Sequence, residues 1–304
     1  MDNRNDIREF LTTRRARITP EQAGLPDFGG RRRVAGLRRE EVALMAGMSV
    51  EYYVRLERGN AKGVSDAVLN GITRALQLDD AERDHLFDLV RAANQGLRTP
   101  RPSGRSKAGR VRRGVQQLLD AMDSVPAFVQ NGRLDIVAAN RLGKAVFSPL
   151  FDGDSNANFG RFLFLDSRAL EYYAAWEDAA QQTVALLRAD AGRNPFDRAL
   201  SDLVGELSTR SAAFRTLWAS HDVREHRTGI KRLNHPVVGA LELHFEAMNL
   251  TNDRELSFIA YTAEPGSASS EALTLLNSWT GVDDAESVSS PRAATSTERS
   301  RSRD

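Results

Sequence analysis

The stretch GLRREEVALMAGMSVEYYVRLERG, residues 36–59, constrains this chain more than any other. A DNA-reading helix-turn-helix needs a small residue where the second helix crosses the first, a turn residue at φ > 0, an N-cap and two inward apolar positions. Ala43, Gly47, Ser49, Tyr53 and Leu56 stand at those offsets, with Met48 plugging the turn. The second helix then presents Val50, Glu51, Val54, Arg55 and Arg58 outward. Arg55 suits guanine O6 and N7, Glu51 suits the cytosine amino group, and Val50 suits a thymine methyl. Arg39, Ser49, Tyr52, Arg58, Asn60 and Lys62 are expected on phosphates, where they set register. Arg31, Arg32 and Arg33 add attraction that does not depend on sequence. Any one of these features is common in helical hairpins. Their coincidence favours DNA binding. The one local departure is Arg38, where a capping Ser or Thr is expected; Glu40 and Glu41 still suit the helix dipole.

The surroundings fit that reading. Apolar residues recur at helical spacing in five short segments up to residue 93, with Ser49, Ser65 and the Asp79/Glu82 pair at helix starts. Residues 94–113 mix Pro, Gly and Ser with Arg and Lys and read as a basic linker. Residues 1–114 carry 23 Lys and Arg against 15 Asp and Glu, a net +8, while residues 115–304 carry 19 against 26, a net −7. A basic module is thus joined to an acidic one with another task.

From residue 114 the pattern changes. PAFVQNGRLDIVAAN alternates about Asn131-Gly132, a strong hairpin signal. Helical segments fill residues 141–220, and three strands follow, with turn signals at Thr228-Gly229 and Asn252-Asp253. A hairpin, a helical insertion and a strand meander describe an α+β domain with one antiparallel sheet over residues 114–281. Residues 282–304, rich in Ser, Arg, Ala and Thr, are expected to be a disordered tail.

Several function classes find no support. The 304 residues contain no Cys, which excludes disulfides, thiolate metal sites and a Cys nucleophile. His221, His226, His235 and His244 form none of the usual zinc spacings, and there is neither a phosphate-cradling glycine loop nor a nucleophile elbow. No enzyme, metal or cofactor is expected. The N-terminal segment lacks the basic and apolar regions of a signal peptide, and no apolar run is long enough to span a membrane, so a cytoplasmic location is expected.

The motif RRRVAGLRREEVALMAGMSVEYYVRLERG, with VLNGITRALQLDDAERDHLFDLVRAA after it, resembles the Cro/repressor-type helix-turn-helix domains of the XRE class and, more closely, the MmyB-like bacterial transcription regulators. The likeness continues through PAFV, LDIVAAN, NFGRFLFLD, WEDAAQQTVALLRADAGR and YTAEPGS, to about residue 280. It departs at Val64, where Pro is usual, and at Leu134, where Trp is frequent. The resemblance implies a multidomain chain: an all-α, lambda-repressor-like bundle over residues 1–93, then a PAS-like domain that binds fatty-acid-like molecules. Asn140, Arg161, Phe162, Phe164, Trp176, Phe214, Trp218 and His221 are the pocket candidates, aromatic residues and polar groups gathered in the helical insertion. Arg161 would pair with a ligand carboxylate.

The chain therefore reads as a sequence-specific DNA-binding transcriptional regulator, expected as a homodimer on double-stranded DNA, whose second domain senses a small apolar ligand. Two alternatives belong to other classes. One is a DNA-tethered dimerisation or protein-interaction module without a small-molecule ligand; the other is an enzyme targeted to DNA.

Overall fold

The structure, a computed structural model, describes residues 3–25, 34–95, 111–152, 157–220, 228–253 and 255–289. The first five helices are α1 (Asn3–Arg17), α2 (Arg39–Ala46), α3 (Val50–Glu57), α4 (Asp66–Ala75) and α5 (Asp80–Gln95). Their apolar stripes meet in one core that includes Ile7, Phe10, Leu11, Val42, Ala43, Tyr53, Leu56, Leu69, Ile72, Leu86 and Leu89. Helices this short gain most of their stability from such packing.

The local chemistry of the α2–α3 unit follows the sequence reading. Gly47 ends α2 at φ +70°, and Met48 N donates to the Ala43 carbonyl at 3.0 Å. Ser49 Oγ caps α3 by accepting from Tyr52 N at 3.1 Å. Arg38 provides no side-chain cap; instead its backbone N donates to Glu41 Oε2 at 2.6 Å, half of a capping box. Gly71 of α4 lies against α2, where a Cβ would stand 2.6 Å from the Ala46 carbonyl oxygen.

A buried carboxylate locks the recognition helix to its neighbours. Glu57, at the end of α3, is 1% exposed. Its Oε1 accepts from Arg15 Nε of α1 at 2.8 Å and from Thr12 Oγ1 at 3.4 Å, and its Oε2 accepts from Arg39 Nε of α2. Arg15 also donates to the Leu37 carbonyl at 2.9 Å, which holds the chain entering α2.

The second half begins with α6 (Arg113–Asp120), β1 (Ala127–Asn131) and β2 (Ile136–Ala139). A helical layer follows: α7 (Arg141–Val146), α8 (Ser148–Phe151), α9 (Phe159–Leu165), α10 (Ala169–Tyr172), α11 (Trp176–Arg193), α12 (Arg198–Arg210) and α13 (Ala212–Ala219). Then come β3 (Thr228–His235), β4 (Gly239–Asn249), β5 (Leu256–Thr262) and α14 (Ala268–Ser289). The five strands form one antiparallel sheet in the order β2-β1-β5-β4-β3. Phe128, Leu233, Leu243, Phe245, Ile259 and Tyr261 face the helical layer, and Ala127, Val129 and Phe258 on the other face pack on α6.

Two expectations shift. Thr228-Gly229 is not a turn but the start of β3, paired with Glu246 and Phe245; the β3–β4 reversal comes at residues 236–238. The segment expected to be disordered from residue 282 remains helical to Ser289. Residues 290–304, and most of the expected linker, lie outside the described residues.

The clamp generates a stability prediction. Glu57→Ala leaves the Arg15 guanidinium, 13% exposed, without its counter-charge, so urea unfolding should show a loss of about 3 kcal/mol. Arg39→Ala, at a half-exposed side chain, should cost less than about 1 kcal/mol.

Candidate functional site

The helix-turn-helix presents its outward set as the spacing requires. Tyr53 and Leu56 are buried, while Val50, Glu51, Arg55, Arg58, Asn60 and Lys62 are exposed. The Arg55 guanidinium sits 4.7 Å above the Tyr52 ring, a cation–π contact that limits its rotamers before DNA arrives. Arg39 is half exposed but commits Nε to Glu57, so its remaining guanidinium nitrogens are those that can face a phosphate. Arg31, Arg32 and Arg33 lie outside the described residues.

The second site is a cavity of about 140 Å³ between one face of the sheet and α11. Its apolar wall includes Phe128, Leu134, Phe147, Phe159, Phe245, Ile259 and Tyr261. Gln130, Ser257 and Asn249 make a polar row across three strands at one end, opposite one another in the register. From α11 come Ala179, Gln182, Thr183, Leu186, Ala189 and Arg193.

Lys231 of β3 is the cavity's unusual member. Its ammonium donates to Gln182 Oε1 at 2.9 Å and lies 5.7 Å from the Phe245 ring centroid and 6.0 Å from that of Tyr173. Among the described residues no carboxylate pairs with it. Burial alone pushes its pKa down to about 8. Burial also pushes the Tyr173 and Tyr261 phenols up, which keeps both neutral.

Of the eight residues expected to form the pocket, the seven that are described do not line this cavity. Asn140 is buried and fully used: Oδ1 accepts from Ala127 N and Gly143 N, and Nδ2 donates to the Met122 and Val125 carbonyls. Arg161 pairs with Glu206 at 2.9 Å, away from the cavity. Phe162 belongs to the domain core against Tyr172 and Tyr173. Phe164, Phe214 and Trp218 pack together, and Trp176 Nε1 donates to the Leu163 carbonyl. His221 lies outside the described residues. The signal that marks Lys231 is readable, since it shares a strand face with buried Leu233 and His235. Leu134, the departure from the family's frequent Trp, does line the cavity.

His235 is buried, with Nε2 at 3.0 Å from the Ala145 carbonyl and Nδ1 accepting from Val237 N, which suits a neutral structural imidazole. Among the described residues no three His, Asp or Glu side chains converge as metal ligands, and no helix is long and apolar enough to cross a membrane.

Residues 111–276 match the MmyB-like transcription regulator ligand binding domain, and residues 27–86 match a helix-turn-helix domain. The chain belongs to the MmyB-like transcription regulators. It is a DNA-binding regulator with a ligand-binding domain. A comparison with curated proteins finds no match.

Lys231 predicts a pH effect of known sign. Its folded pKa, about 8, lies below the unfolded value of 10.5, so the unfolded chain binds the extra proton between those values. This group's penalty is full below pH 8 and is relieved as pH rises toward 10.5. Lys231→Met should therefore stabilise the ligand-free protein at pH 7 by on the order of 1–3 kcal/mol. In thermal unfolding scans that advantage should fade by pH 10.

Proposed function

We propose that this regulator senses an amphiphile with an acidic head group and an apolar body, fatty-acid-like in outline. The observation that carries this reading is Lys231, a cation in an apolar cavity with no carboxylate paired to it among the described residues. A buried charge is costly until it is compensated, and an incoming carboxylate provides that compensation. The ligand's acid seats against Lys231 and Gln182, and its body lies among Phe128, Phe147, Phe159 and Tyr261. The interaction-module alternative accounts for neither the lysine nor the cavity.

On the DNA side, Val50, Glu51 and Arg55 read base edges, while Ser49, Tyr52, Arg58, Asn60, Lys62 and the free part of Arg39 hold phosphates. Arg55, steadied by Tyr52, carries the most discrimination.

Two experiments test these assignments. In calorimetry at pH 7, Lys231→Met should weaken decanoate about ten- to a hundred-fold and leave decanol unchanged; equal losses for both would remove the acid anchor. Arg55→Ala should cost roughly 1–3 kcal/mol on selected DNA and relax preference at one base pair. Unchanged preference at every position would take Arg55 out of direct readout.

A further inference from the structure

The cavity is too small for the ligand class it suits. At about 140 Å³ it is close to the volume of about 150 Å³ that admits a benzene ring, whereas ligand sites run to about 300 Å³ and above. A longer chain either runs out through the cavity's open side or is taken in further as a wall yields. One wall is the sheet, whose strands β1, β5, β4 and β3 are joined by an unbroken antiparallel ladder. The other is α11, held mainly by side-chain packing.

That helix has a second neighbour. Its cavity-lining residue Ala189 also packs against the core of the DNA-binding bundle. Gly192, one turn on, lies against α5: a Cβ there would stand 2.6 Å from His85 Nδ1. His85 is buried and sits edge-on to Phe10 of α1, with ring centroids 5.2 Å apart. Arg188 of α11, 4% exposed, stacks 4.2 Å over Trp218 and is attracted by Asp6 and Glu9 of α1. A single helix thus separates the cavity from α1 and α5, and α1 carries the Arg15 that holds Glu57 at the end of the recognition helix.

We propose that α11 is the shared wall through which cavity occupancy reaches the DNA-binding bundle. Filling the cavity displaces α11 from the sheet and changes its packing on α5 at Gly192 and His85. The ligand then acts because the two α11 positions hold the bundle differently, which gives it unequal affinity for two states. The proposal rests on the amphiphile reading only for what fills the cavity.

The test therefore fills the cavity in two ways in the full-length chain. Decanoate is added to the wild type, with its binding followed by calorimetry, and Ala247→Phe fills the cavity from β4 without any ligand. Hydrogen exchange of α5 amides is then compared with that of the free wild type. Exchange in α5 should change by about five-fold or more, the lower end of allosteric coupling, while α6 on the opposite sheet face stays unchanged. If Ala247→Phe loses sheet protection, the smaller Ala247→Leu takes its place. A change in α5 with the filled variant, but no decanoate binding, upholds the shared wall and removes the amphiphile. Exchange in α5 within about two-fold of the free protein, in a variant whose sheet remains protected, overturns the proposal.

Discussion

The carboxylate of Glu57 is the point on which the DNA-reading unit depends. A 1% exposed charge is tolerable only if its neighbours neutralise it. Here they come from two other helices, Arg15 of α1 and Arg39 of α2. That requirement ties three elements to one another and fixes the end of α3 relative to both. The outward face of α3, with Arg55 braced on Tyr52, inherits its orientation from the clamp. The basic N-terminal module is therefore more than a cluster of positive charge. Some of its arginines build the reading head, and others are left to meet DNA.

The sensor domain holds the opposite electrostatic case. Lys231 is surrounded by Gln182, Tyr173 and Phe245, none of which supplies a negative charge. Glu57 is complete within the fold, whereas Lys231 has no carboxylate partner among the described residues and, on the proposed reading, takes one from the ligand. A regulator needs both kinds of site: a rigid one to present side chains to DNA, and an unsatisfied one whose energy changes when a small molecule arrives. Between them stands α11, with one side in the cavity and another against α5 and α1.

Features set by local chemistry were legible in the sequence. Gly47 and Ser49 have the left-handed turn and the helix cap that their spacing implies, and Asn131-Gly132 lies at the β1–β2 reversal. The left-handed φ of that reversal falls on Leu134, at +65°, and Gly132 is needed instead because a Cβ would run into the Asp190 carboxylate of α11. The cavity was harder to read. Aromatic residues in the helical insertion looked like pocket walls, but Phe162 packs on Tyr172 and Tyr173, and Phe164, Phe214 and Trp218 pack together, in the cores between helices. Composition cannot tell a ring facing a void from a ring facing another ring. The cavity comes from strand faces brought together by long-range pairing, such as Gln130 with Ser257 and Ser257 with Asn249. Lys231 was visible only as a charge at an inward strand position. Thr228-Gly229 misled because glycine marks turns more often than strand starts.

On the proposed reading, ligand and DNA act on one equilibrium within this chain. Linkage makes the test direct, since any factor by which the ligand changes DNA affinity must equal the factor by which DNA changes ligand affinity. Decanoate binding is to be measured by calorimetry on the full-length chain, free and saturated with an oligonucleotide selected by that chain. DNA binding is to be measured by anisotropy with and without decanoate at the same salt. Two equal factors, each about five-fold or more in the same direction, are the expected result. Decanoate that binds with the same affinity to free and DNA-bound protein would contradict a ligand-controlled regulator.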